Sequence, residues 1–111
     1  MIEVNEYVRT KDGVIGKVIK VLSNRVFLDN LGYAVLTKDI VKHSKQLIYL
    51  IEVGDIVNGM EVLDIHKLRD LWEPIEIRVD SRYTNFILAE DIQTILTKEQ
   101  YLANCYKVGG E

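Results

Sequence analysis

The 111-residue chain contains one cysteine, one proline and two histidines. A single cysteine excludes an internal disulfide and a cysteine-rich metal site. With one proline and seven glycines, no stretch reads as a flexible linker. The longest clean apolar run, residues 47–51, falls far short of the ~20 residues that a membrane-spanning helix needs, so no membrane association is expected. Residues 1–6 have neither the basic region nor the apolar segment of a secretory leader, which makes a cytoplasmic location the expectation.

The usual catalytic sets are missing too. His43 and His66 are 23 residues apart, with no cysteine or carboxylate at metal-ligand spacing beyond Asp64 and Asp70 around His66. Gly13 and Gly16 sit between β-rich segments, with no helix start to aim at a phosphate. No serine lies in a nucleophile elbow. Cys105 has Asn104 and Tyr106 as neighbours, neither of them a base, and reads as a packed thiol. Glu52 and Asp55 could be drawn as an acid–base pair, but a simpler role for Asp55 is to accept nearby backbone N–H groups at a strand start. The expectation is a protein that is not an enzyme, with no cofactor, no metal and no small-molecule ligand.

What is present favours sheet. Hydrophobic residues make up 48% of the chain and charged residues 28%, an ordinary folded composition. Val4, Val8, Val14, Ile15 and Val18 crowd the first part, and Ile56, Val57, Val62, Ile65 and Ile77 the second. β-branched side chains of this kind pack well on a pleated surface.

The chain also resembles itself. Residues 4–8 (VNEYV) and 53–57 (VGDIV) are 49 apart, and each leads to a glycine turn, Asp12-Gly13 or Asn58-Gly59. Residues 36–40 (LTKDI) and 88–92 (LAEDI) match 52 apart. Strands are expected over 4–9, 14–22, 25–29 and 33–36, then over 55–57, 60–66, 74–79 and 84–88. Gly16 suggests a bulge, and Asp12-Gly13 a primed turn. Residues 39–41 read as a tight turn, and 46–54 as a strand shared by both halves. Thr97, with Gln100 three residues on, fits a capping box opening a short helix near 97–104.

The expected fold is mostly β: tandem small SH3-like antiparallel barrels with one short C-terminal helix. The first unit, 1–51, holds eight Lys/Arg against five Asp/Glu; the second, 52–111, holds six against twelve. A basic unit therefore precedes an acidic one. Such a split can orient a partner or favour head-to-tail self-association.

Residues 7–18 (YVRTKDGVIGKV) resemble the entry of SH3-like barrels of the KOW type, which implies binding to RNA or to ribosomal and transcription proteins. Residues 50–59 (LIEVGDIVNG), 92–101 (IQTILTKEQY) and 105–108 (CYKV) resemble small uncharacterised proteins encoded by phages and prophages of Firmicutes. That resemblance implies a phage accessory role on a host or phage protein, in the host-cell cytoplasm.

Two surfaces are candidates. Arg9, Lys11, Lys17, Lys20 and Arg25, interleaved with Tyr7, Phe27 and Tyr33, have the residue types that track a nucleic-acid backbone and stack on bases, although Tyr7 and Phe27 fall at positions patterned as core. Trp72, with Asp70, Glu73 and Glu76, offers an aromatic anchor in acidic surroundings for a protein partner. The expected function is a non-enzymatic protein-binding module, with nucleic-acid binding through the basic half as the alternative.

Overall fold

The computed structural model describes residues 1–67, 74–82 and 85–104. They form two five-stranded antiparallel sheets. The first contains β1 (Tyr7–Thr10), β2 (Ile15–Val21), β3 (Arg25–Leu28), β4 (Ala34–Leu36) and β5 (Ile40–Ser44), in the order β4-β3-β2-β1-β5. The second contains β6 (Ile56–Val57), β7 (Met60–Lys67), β8 (Pro74–Val79), β9 (Phe86–Leu88) and β10 (Ile95–Leu96), in the order β10-β6-β7-β8-β9. Read from its other edge, the second order is the first one over again. A helix, α1 (Lys98–Asn104), follows.

The expected barrels are not formed. β4 and β5 end the first sheet, β9 and β10 end the second, and neither pair of edges is hydrogen-bonded together. Edge strands of three and two residues (β4, β9 and β10) offer few backbone groups to a second neighbour. The architecture is two open sheets.

The correspondence reaches individual bonds. Asn5 and Gly54 both have left-handed backbones (φ 76° and 97°). Their N–H groups bond to the carbonyls of Val18 and Val62. Val18 and Val62 in turn donate to the carbonyls of Glu6 and Asp55. Both of these acids are buried, and each side chain accepts the N–H three residues upstream, from Glu3 or Glu52, at 2.8 Å. The 49-residue spacing thus marks one acidic turn made twice.

Each sheet has its own core. Val8, Val18, Val26, Leu28 and Val35 fill the first. Val57, Val62, Ile77, Val79 and Ile87 take the matching places in the second, joined there by Ile48 and Ile51. The matching is set by register: Val18 faces Leu28 as Val62 faces Val79, and Val26 faces Val35 as Ile77 faces Ile87. Tyr7 and Phe27 lie outside the core, half-exposed, because Val8, Val26 and Leu28 are the inward members of their strands.

Several local expectations are corrected. Residues 46–54 hold no shared strand; Leu47–Leu50 is a 3₁₀ turn. In a 3₁₀ turn, residues i and i+3 eclipse, so Ile48 and Ile51 reach one core together, which a period-2 strand would forbid. Residues 40–44 form edge strand β5, not a turn; the 3₁₀ turn precedes it at Thr37–Asp39 and recurs at Ala89–Asp91. Gly16 pairs regularly with Val8, and the bulge falls at Ile19. Asn58-Gly59 has positive φ at both residues (51° and 81°), as a primed two-residue turn requires. Of Asp12 and Gly13, only Gly13 is left-handed (φ 84°), closing a longer loop in which Thr10 N–H bonds to Val14 O.

Candidate functional site

Two places concentrate unusual side chains. The first is an ionic junction joining the halves. Arg9 follows the inward Val8 on β1, so its side chain leaves the opposite face of the strand. It is fully buried. Its Nη1 donates to Asp55 Oδ2 at 2.5 Å and to the Leu50 carbonyl at 2.9 Å; Nη2 donates to Asp55 Oδ1 at 2.9 Å and to Glu99 Oε1 at 2.7 Å. Asp55 is also fully buried and accepts the N–H groups of Glu52 and Lys98 as well. Glu52 takes Lys42 at 3.0 Å and Lys98 at 2.8 Å. Three cations therefore meet three carboxylates.

Burial pushes the Glu52 carboxyl upward, but the bonds from Lys98 and Lys42 and the charge of Arg9 outweigh it and hold the pKa at about 2. Burial likewise works against the Arg9 charge, and bonds to Asp55 and Glu99 overcome it, leaving the guanidinium above its ordinary range. Beside this centre, Thr97 Oγ1 donates to the Gly13 carbonyl at 2.7 Å. A Cβ on Gly13 would run into Thr97 Oγ1 and stand 2.8 Å from Glu99 Cβ, so this glycine permits the close approach. Thr97 also accepts Gln100 N–H at 3.4 Å, the N-cap bond that its sequence position predicts. Asp55 accepts backbone N–H groups, as expected at its strand start.

The second place is an apolar groove of about 690 Å³ on the first sheet. β5 supplies Ile40, Val41 and His43; the β2–β3 hairpin supplies Val21, Leu22 and Val26; Met1 and Ile2 complete one end. Val41 is 56% exposed, Val21 40% and Leu22 38%. Among the described residues, no carboxylate lines the groove. An adjoining cleft shares Ser23 and Thr37 with it and adds Lys38. His43 is held from below: its Nδ1 lies 3.2 Å from the buried Glu6. Burial pushes the Glu6 carboxyl upward, but bonds from Glu3 N–H and His43 outweigh it and lower the pKa.

No protein-family model matches the chain, and neither a curated protein nor a solved structure matches it. The site stands on its own geometry.

The basic residues singled out from the sequence are not brought together. Arg9 is consumed by the junction. Lys11 is exposed and pairs with Asp39 at 3.2 Å. Lys17 Nζ lies 5.9 Å from the Tyr7 ring centroid and Lys20 Nζ 5.9 Å from that of Phe27, so two of the rings proposed for stacking carry lysines. Arg25 is exposed at the start of β3. On the acidic side, Glu76 lies 3.2 Å from His66; Asp70, Trp72 and Glu73 lie outside the described residues, as does Cys105. Among the described residues, no three His, Cys, Asp or Glu side chains are grouped to hold a metal, and no helix is long and apolar enough to cross a membrane.

The groove escaped sequence reasoning because its residues come from the N-terminus, one hairpin and a strand read as a turn. The visible signal was Val21-Leu22 running past the end of β2's inward pattern.

Proposed function

We propose that the chain is a non-enzymatic protein-binding module that takes an apolar segment of a partner into the groove of the first sheet. The observation carrying this reading is that groove itself: open, apolar and, among the described residues, free of carboxylates in its lining and bordered by the edge strand β5. A sheet edge offers main-chain hydrogen bonds, and adjacent apolar hollows give side-chain selectivity. Exposed apolar patches rimmed by polar groups mark such contacts.

Selection of a displayed random-peptide library on the full chain tests this. Enrichment of peptides whose binding is lost in Val41→Lys is expected. Absence of any Val41-dependent peptide, together with a gel shift of nucleic acid at low salt or a turnover activity, would overturn the reading.

A further inference from the structure

The repeat keeps one scaffold but reverses the charge on its outer faces. Val18, Val26 and Val35 point into the first core, so their neighbours along β2, β3 and β4 lie on the outer face of that sheet. Val62, Ile77 and Ile87 fix the outer face of the second sheet in the same way. Lys17 faces Tyr7 as Glu61 faces Ile56. Lys20 faces Phe27 as Asp64 faces Arg78. Arg25 faces Leu36 as Glu76 faces Leu88. Lys38 is the middle residue of the 3₁₀ turn after β4, and Glu90 the middle residue of the one after β9. Four cations spread over one sheet thus correspond to four carboxylates at the same places of the other. Arg78, at the place of Phe27, is a cation on the acidic face, and His66 stands there between Asp64 and Glu76.

An exposed outer face is ordinary for an antiparallel sheet; a position-by-position reversal of sign is not. Lys20, Arg25, Lys38, Glu61, Asp64 and Glu90 are all exposed. The lysines in ion pairs are Lys11, Lys42 and Lys98; among the described residues, the four cations of this face form none. Large apolar side chains are exposed beside both sets of charges: Ile19 and Leu36 on the first sheet, Leu63, Phe86 and Leu88 on the second.

We infer that the outer face of the first sheet docks on the outer face of the second sheet of another copy of this chain, head to tail. The occupant follows from the charges: the surface that complements the basic face is carried by the same chain, on the same scaffold. Opposite potentials of this kind steer the encounter and fix its register. The two faces differ, so the contact is heterologous and leads to a ring or an open chain of copies. It does not use the groove, because Lys20 and Arg25 point away from the lining residues Val21 and Val26.

Sedimentation of the full chain at rising concentration tests this. In low salt the average mass is expected to climb above that of one chain, and high salt to reverse the climb. Two charge-reversed variants use exposed positions only: Lys20→Glu with Arg25→Glu and Lys38→Glu, and Glu61→Lys with Asp64→Lys and Glu90→Lys. Each alone should associate at least about tenfold more weakly than the parent chain. An equimolar mixture of the two should associate again, since one now offers two acidic faces and the other two basic ones. Val41→Lys, in the groove, leaves association unchanged. A parent chain that stays monomeric in low salt up to about 1 mM overturns the inference, as do variants that associate like the parent or a mixture that stays monomeric. Association abolished by Val41→Lys alone would place the second copy in the groove and overturn it as well.

Discussion

In the first sheet, buried Glu6 meets His43 on the neighbouring strand, and the apolar ground beside them is open. In the second, buried Asp55 meets Arg9 from the other half, and the equivalent ground is occupied by Ile48. The same acidic turn thus serves two ends. One copy uses it to join the halves and closes its core with the chain that precedes it. The other uses it to steady a histidine at the rim of a groove. Divergence between the copies separates a part that holds the molecule together from a part whose apolar ground stays open.

The sharpest way to break this comparison is to remove the partner of each acid. Arg9→Met leaves Asp55 buried and uncompensated, which costs about 3–5 kcal/mol in urea unfolding. His43→Ala frees Glu6 next to solvent and costs within about 1 kcal/mol. Equal costs would mean that the two turns play equal structural roles. Next in size is the core difference. Ile48→Ala is expected to cost about 2–5 kcal/mol, as truncations of fully buried side chains do, whereas Ile2→Ala, in the half-open counterpart, costs less than about 1 kcal/mol.

Acid sharpens the same contrast. Glu52 is held at about 2 against an ordinary 4.5. A depressed carboxyl contributes its full stability above the unfolded pKa and loses it as pH falls through the folded one. Stability should therefore drop between pH 4.5 and 2 by up to about 3 kcal/mol from this group. Unfolding followed across that range should be flatter in Glu52→Gln. An unchanged slope would remove Glu52 from the junction's electrostatics.

Much of the strand content was legible in the sequence, because alternation around Val8, Val26 and Ile77 reflects which face is buried. Residues 74–79 form a strand as read, and the helix lies within one residue of its expected start because Thr97 carries its cap. Closure was not legible, since whether β4 meets β5 depends on edge length and tertiary placement, which no local pattern encodes. β5 was missed because Ile40, Lys42 and Ser44 are only half-buried and two of them are polar. Arg9 illustrates the limit for the site. Charge on a strand reads as surface, and only the long-range meeting with Asp55 and Glu99 makes it interior. Asp55 was legible as an acceptor of backbone N–H groups, but not as the partner of an arginine 46 residues away.

The most direct measurement is backbone amide NMR of the labelled full chain during titration with a library peptide whose selection depends on Val41. If the groove is the binding site, shifts concentrate at Val21, Leu22, Val26, Ile40, Val41 and His43, and the second sheet stays still. Shifts centred on Ile65, Ile92 and Ile95, or none at saturating peptide, would contradict it.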